Sequence, residues 1–132
     1  MLIPQISVFL ENRTGQLAAI TGILADNGID LRAINIAETS DYGVLRIIAD
    51  DTRRAAALLS GEDYVVSVTP VAVVEVPDEP GGLNRLLKLL EELEINIEYM
   101  YSIFGNDNGK AGMVLRVTDP DALQQIMTEK GF

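Results

Sequence analysis

Three residue types are missing from this chain of 132 residues: it contains no cysteine, no histidine and no tryptophan. The absence of cysteine excludes disulfides, thiolate catalysis and zinc sites built on cysteine. The absence of histidine removes the commonest general base and the commonest ligand of transition metals. No paired carboxylates and no serine–lysine spacing stand out in their place. We therefore expect no enzymatic activity, no catalytic residues, no metal site and no cofactor.

Basic residues are scarce, with 10 lysines and arginines against 20 acidic residues and a net charge of −10. Binding of nucleic acid depends on clustered lysine and arginine, as does binding to anionic membrane surfaces. No apolar run approaches the ~20 residues that cross a membrane. The first residues, Met1–Gln5, lack the basic region and apolar core of a signal peptide. We expect a cytoplasmic protein that partners neither nucleic acid nor membrane.

The second half of the chain repeats the first, as a comparison of Val8–Leu17 with Val74–Leu83 shows. In both, an apolar strand-like run ends in a polar turn, a glycine follows (Gly15 or Gly81), and a leucine two residues later begins a helical pattern. A long period seen twice indicates two copies of one supersecondary unit. Units of about 65 residues are marginal alone, so each is expected to need the other or a second chain.

Hydrophobic periodicity predicts the order strand, helix, strand, strand, helix, strand in the first copy. The predicted strands of both copies lie at Ile6–Leu10, Leu31–Ala37, Val44–Ala49, Val65–Val68, Val71–Val76, Ile95–Phe104 and Met113–Val117, and the helices at Leu17–Leu24, Ala55–Leu59, Leu83–Leu93 (an amphipathic stripe expected in the core) and from Pro120 onward. This order favours an α+β fold of two ferredoxin-like βαββαβ units in tandem, with antiparallel sheets and helices on one face.

The predicted domains are residues 1–69 and 70–132, with Pro70 as the boundary, and the second lacks its last strand. Because open sheet edges invite pairing, we predict that a segment from the N-terminus or from another chain covers Val71–Val76. Marginal unit size, the missing strand and the apolar run Tyr99–Phe104 also predict a homodimer, or a higher even assembly, with sheets meeting edge to edge.

Two short motifs, each present twice, resemble those of ACT domains. The family's first turn reads roughly Asn/Asp-x-Pro-Gly-x-Leu, and its first helix is followed by Gly-Ile/Val-Asn-Ile. Here Asn12–Leu17 and Gly28–Leu31 match in the first copy, and Asp78–Leu83 and Glu94–Ile97 match in the second. The resemblance covers almost the whole chain. It implies a tandem ACT protein, acting without an attached catalytic domain, of a family whose members commonly bind amino acids.

The resemblance also implies a ligand site between adjacent copies, formed by the first turn of one and the second strand of its neighbour. Backbone N–H groups at a strand–glycine–helix turn suit a carboxylate, while carboxylate or amide oxygens suit an ammonium group. The first turn is favoured for the carboxylate because the second is more acidic. The expected ligand-binding residues are Asn12, Arg13, Gly15, Leu17 and Asp30, and in the second copy Asp78, Gly81, Gly82 and Asn96.

Structural explanations stand beside these functional ones. The two turn glycines also serve simply to close the turn, and Asn12 and Asp78 can fold back onto the turn backbone. Alternation places Tyr99 and Tyr101 on one face of a strand, either in the core or dimer interface or as a pocket wall. The predicted function is an amino-acid sensor that regulates a partner, with a partner enzyme as one option. The alternative is a ligand-free dimerisation or docking module that regulates a partner enzyme.

Overall fold

The structure is a computed structural model that describes residues 1–11, 13–38, 42–105 and 108–131. The elements follow the predicted α+β order. The strands are β1 (Leu2–Leu10), β2 (Leu31–Glu38), β3 (Gly43–Ala49), β4 (Val65–Pro77), β5 (Ile97–Ser102) and β6 (Lys110–Val117), and the helices are α1 (Gln16–Asp26), α2 (Thr52–Gly61), α3 (Gly82–Glu92) and α4 (Pro120–Lys130). None of these helices, within the described residues, combines the length and apolar character that crossing a bilayer requires.

The chain forms two compact units. The N-terminal unit is Pro4–Thr69, and the C-terminal unit is Met1–Ile3 together with Pro70 and the residues that follow it. In the N-terminal unit β3 pairs antiparallel with both β1 and β2, and β4 lies beside β1. Alternate residues of β1 turn toward α1 and α2 and are buried with them. The core contains Ile6, Val8, Leu10, Ile20, Leu24, Leu45, Ile47 and Leu59.

The C-terminal unit repeats this arrangement, with β6 paired antiparallel to both β4 and β5. Its sheet packs against α3 and α4 around Val74, Val76, Leu86, Leu90, Leu115, Val117, Leu123 and Met127. The predicted leucine stripe of α3 supplies two of these core residues. Its last member, Leu93, is not in the core: it lies beyond the end of α3 and is 38% exposed.

The strand position missing from the end of the chain is occupied by its beginning. The Val73 N–H donates to the Met1 carbonyl at 2.8 Å, and the terminal amino group of Met1 donates to the Val73 carbonyl at 3.3 Å. The Leu2 N–H donates to Oε1 of Gln124 on α4 at 2.7 Å. The prediction that another segment covers this edge is confirmed, and the N-terminus provides that segment.

Helices α2 and α4 begin at side-chain caps. Oδ1 of Asp51 accepts from the Arg54 N–H at 3.1 Å, and Oδ1 of Asp119 accepts from the Ala122 N–H at 3.1 Å. Such caps satisfy N–H groups in the first turn that have no partner inside the helix.

The prediction of separate strands on either side of Pro70 is wrong, because both form the single strand β4. Proline fixes φ near a value that extended backbone tolerates, and it removes only one hydrogen-bond donor. Strand β5 is also shorter than predicted, since it spans Ile97–Ser102 rather than the whole of Ile95–Phe104.

Candidate functional site

The two first turns have the same backbone hydrogen bonds. In the first turn these bonds run from Arg13 N–H to Glu11 O (2.9 Å), from Gln16 N–H to Arg13 O (3.0 Å) and from Ala19 N–H to Gly15 O (2.9 Å). In the second turn they run from Glu79 N–H to Pro77 O (2.9 Å), from Gly82 N–H to Glu79 O (3.0 Å) and from Arg85 N–H to Gly81 O (3.0 Å). The central glycines also agree, with φ of +90° at Gly15 and +86° at Gly81. The sequence repeat is therefore a structural repeat at the turn itself.

Helices α1 and α3, which begin at these turns, have no side-chain cap at Gly15 or Gly81. Helices α2 and α4 are capped by aspartates. The uncapped helices leave first-turn N–H groups without a side-chain acceptor, and the positive end of the helix dipole favours an anion there. Both turns can thus accept a carboxylate on backbone grounds.

The surroundings of Gly15 are open. No atom lies within 4 Å of the position that a Cβ at Gly15 would occupy. A cleft of about 400 Å³ adjoins the turn and is lined by Arg13, Thr14, Gly15, Gln16, Ala19 and Tyr64. Nε of Arg13 is 3.3 Å from Oε2 of Glu11, and both side chains are about 70% exposed. Exposed ion pairs contribute little energy, so a ligand carboxylate can replace Glu11 as the partner of Arg13.

The surroundings of Gly81 are covered by an ion pair. Nη1 of Arg85 lies 3.7 Å from the position of a Cβ at Gly81. Nη2 of the same residue is 3.1 Å from Oε1 of Glu79. The residue equivalent to Arg85 in the first copy is Ala19, which has no charge. The second turn therefore holds an internal carboxylate, Glu79, close to where a ligand carboxylate would bind.

Three predicted ligand residues have clear structural roles. A Cβ at Gly82 would collide with the carbonyl oxygen of Pro77, so this glycine allows α3 to begin close to the preceding strand. Leu17 is half-buried and packs against the core of the N-terminal unit. Asp78 joins the second turn to the loop before β6, because its N–H donates to the Gly109 carbonyl at 2.8 Å. Asn12, also predicted to bind ligand, lies outside the described residues.

Asp30 and Asn96 lie far from the turn of their own unit. Helix α1, of 11 residues, separates Gly15 from Asp30 by roughly 16 Å, and α3 likewise separates Gly81 from Asn96. Oδ2 of Asp30 is 3.3 Å from Nη1 of Arg32. Within each unit the structure therefore does not bring the expected carboxylate-binding and ammonium-binding residues together.

Tyr64 and Arg85 are site residues that the sequence analysis missed. The hydroxyl of Tyr64 donates to Oε1 of Gln16 at 3.4 Å, a contact between residues 48 positions apart. Only the three-dimensional fold reveals it. Arg85 could have been found, because it follows Gly81 by one helical turn and is opposite in charge to Glu79.

The prediction that Tyr99 and Tyr101 share a face of β5 is confirmed, because their rings stack with centroids 6.4 Å apart. Tyr101 is buried, which agrees with a packing role. No cluster of three or more acidic side chains able to hold a metal ion is found in the part of the chain that the structure describes.

Comparisons with known proteins agree with the fold of two similar units. The profile of a family described as an ACT domain pair matches residues 1–132. A solved protein from Bacteroides thetaiotaomicron superposes with a TM-score of 0.91 and 38% identity, over 99% of this chain and 90% of that one. The ligand-free regulatory subunit of aspartate kinase from Thermus thermophilus gives a TM-score of 0.68 and 14% identity, over 98% and 96%. E. coli aspartokinase III in complex with lysine and aspartate superposes with a TM-score of 0.55 and 18% identity. The match covers 97% of this chain and 32% of that one. Curated proteins gave no match.

Proposed function

Because this chain belongs to the family of ACT domain pairs, we propose that it is a regulatory protein that binds a free amino acid and transmits the binding to a partner protein. The two ACT domains are residues 1–69 and 70–132 along the chain, with Met1–Ile3 completing the sheet of the second. The observation that carries the proposal is the uncapped start of α1 at Gly15, beside Arg13 in an open cleft.

The ligand carboxylate binds at the first turn. The N–H groups at the start of α1 and the guanidinium of Arg13 supply donors and positive charge. The hydroxyl of Tyr64, held by a long hydrogen bond to Gln16, lines the same cleft and adds a polar contact. The second turn is the weaker candidate, since Glu79 already occupies Arg85 there and repels a second carboxylate.

The ligand ammonium group binds to a second copy of the chain. Its acceptor is Asn96 or Asp30, neither of which can reach the turn of its own unit. A site completed by a second chain makes binding depend on assembly, so an amino acid would stabilise a homodimer or shift it between arrangements. The shift can be no larger than the difference in ligand affinity between those arrangements.

The test is a titration of the purified protein with each of the twenty amino acids, by thermal denaturation and by calorimetry. A ligand that binds only the folded protein must raise its melting temperature. The variant Arg13→Gln should weaken the binding of whichever amino acid is found, whereas Arg53→Gln, an exposed change of equal charge on α2, should not. Equal weakening by both variants would point to a general charge effect and away from the turn.

A second candidate function, docking without any ligand, is favoured by an exposed aromatic pair in the N-terminal unit. Phe9 and Tyr42 are 42% and 47% exposed, and their ring centroids are 6.2 Å apart. Exposed apolar side chains in contact with each other are a feature of protein interaction surfaces. If no amino acid binds, this docking function replaces the sensor function.

A further inference from the structure

A cleft in the C-terminal unit lies at the end opposite to the Gly81 turn. It has a volume of about 300 Å³ and opens between the loop that follows α3 and the start of α4, at the lower limit for small-molecule sites. Its apolar lining consists of Leu93, Ile95, Ala122 and Ile126. Apolar side chains left partly exposed around a concave space favour an apolar ligand group.

The rim of the cleft is polar and acidic. Glu94, Asn96 and Thr118 line it, and their side chains form no hydrogen bond or ion pair with any residue that the structure describes. Asp119 also lines it, and its carboxylate caps α4. The lining contains acceptors for an ammonium group but no cation to hold a carboxylate.

The equivalent loops of the first copy are joined to each other. The Asp30 N–H donates to Oδ1 of Asp50 at 3.0 Å, and the Asp50 N–H donates to the Asp30 carbonyl at 3.0 Å. Asn96 and Thr118 hold the same places beside β5 and β6, yet no hydrogen bond joins them. The two copies thus differ at this end: hydrogen bonds hold the loops together in the first, and a cleft separates them in the second.

The backbone at the cleft rim shows the same divergence. Gly28 follows the end of α1 in the left-handed conformation with φ of +70°, and its equivalent Glu94 adopts φ of +57°. Glutamate is strained in this conformation where glycine is not. The second copy therefore places a carboxylate at the rim of the cleft in spite of local strain.

From this divergence we propose that the cleft of the C-terminal unit binds the ammonium group and the aliphatic side chain of the regulatory amino acid. Asn96 and Glu94 accept hydrogen bonds from the ammonium group, and the side chain packs against Ile95, Ala122 and Ile126. The carboxylate extends out of the cleft to the first turn of a second copy of the chain. The inference rests on the proposed function and names its ligand class: amino acids with an uncharged aliphatic side chain.

Other side chains fit the cleft poorly. An acidic side chain meets Glu94 and Asp119, which repel it. A lysine side chain places a second ammonium group against Ile126 and Ala122, where its desolvation is not compensated. Leucine, isoleucine, valine and methionine match the apolar lining without either cost.

The test measures affinity for leucine, isoleucine, valine and methionine against lysine, aspartate and serine, by calorimetry on the full chain. Ala122→Met fills the cleft with an apolar side chain, and Gln125→Met makes an exposed change of the same kind on α4. We expect an aliphatic amino acid to bind best. Ala122→Met should raise its Kd by about tenfold or more, and Gln125→Met should leave it unchanged.

A second pair of variants examines the ammonium contact. Glu94→Gln should weaken binding of the aliphatic amino acid several-fold, whereas Glu92→Gln, an equal charge change on α3, should not. A charged amino acid as the best ligand, or equal affinities for the Ala122→Met and Gln125→Met proteins, would overturn the cleft inference and leave the proposed function standing. Binding of no amino acid by the wild type would contradict the proposed function, and the cleft inference with it.

Discussion

Arg85 lies over Gly81, with Nη1 3.7 Å from the position of a Cβ on that glycine, while the equivalent helix position in the first copy is Ala19. Two turns with the same backbone hydrogen bonds thus differ in what surrounds them. One is covered by its own ion pair, and the other leaves Arg13 at the edge of an open cleft. The two turns thus share one backbone geometry, and the side chains around them leave the first turn more accessible than the second.

Gly15→Val should abolish amino-acid binding, because a branched side chain would fill the open space beside the first turn. Valine at φ of +90° also costs about 1–3 kcal/mol of stability. Gly131→Val is the matched control: its φ is +83° and the space around it is open, so it carries the same strain at a glycine of the other unit. Calorimetry on both variants checks this. Equal affinities in the two variants would place the site elsewhere.

The repeat carries most of what could be predicted from the sequence. Alternating β1 residues, the glycine turns and the Asp119-Pro120 helix start are local signals, and each produced the expected element. Interactions between distant residues could not be predicted in this way. The N-terminus was one of two segments expected to cover Val71–Val76, but the pairing of Met1 with Val73 depends on strand register, and the contact of Tyr64 with Gln16 depends on the fold. One sequence does not specify either residue by residue.

The C-terminal cleft was also beyond prediction. Asn96 was expected to bind ligand from its place in the motif, but no ligand role was expected of Ala122 or Ile126 on α4. The cleft lies between a loop that follows one helix and the start of another, and one sequence does not specify how such distant segments are placed.

Gly82→Ala should destabilise the protein by roughly 1–3 kcal/mol or more, since its Cβ would collide with the Pro77 carbonyl and overpack the start of α3. Gly22→Ala on α1 is the opposite case. No atom lies within 4 Å of its Cβ position, so the helix should gain about 0.5–1 kcal/mol. Urea denaturation of both variants measures the difference. A neutral Gly82→Ala would show that the turn relaxes and that close approach does not explain this glycine.

Gln124→Ala should cost about 1 kcal/mol, because it leaves the Leu2 N–H without its acceptor. The loss would loosen the N-terminal segment that completes the sheet of the C-terminal unit. Gln125→Ala, an exposed neighbour on the same helix, should change stability by less. Hydrogen exchange at Val73 gives an independent readout: faster exchange in Gln124→Ala alone is expected, and no change in either variant would contradict the role of this contact.

The protein should form a dimer or a higher even assembly. Among the described residues β2 pairs only with β3, and β5 only with β6, so each unit has an outer strand with unpaired backbone groups. Light scattering at micromolar concentration should give the mass of two chains or an even multiple. A monomer under these conditions would contradict both this expectation and a site completed by a second chain.

Glu94→Gly should stabilise the protein while weakening its binding of an amino acid. The substitution relieves the strain of a left-handed backbone at φ of +57°. Glycine also has a larger entropy in the unfolded chain, which offsets part of this gain, so the free energy of unfolding should rise by up to about 1 kcal/mol. Asp63→Gly is the matched control, since Asp63 has φ of +66°, belongs to the other unit and does not line the cleft. Both variants should therefore melt at higher temperature than the wild type.

Only Glu94→Gly should also raise the Kd for the amino acid, because only that variant removes a carboxylate from the cleft rim. If Glu94 served to stabilise the fold, replacing it would destabilise the protein. A variant that is more stable but binds the amino acid more weakly therefore distinguishes a binding role from a structural one. Thermal denaturation without ligand and calorimetry with ligand separate the two effects. If Glu94→Gly raised the melting temperature and left affinity intact, the strain at Glu94 would have no connection with the ligand.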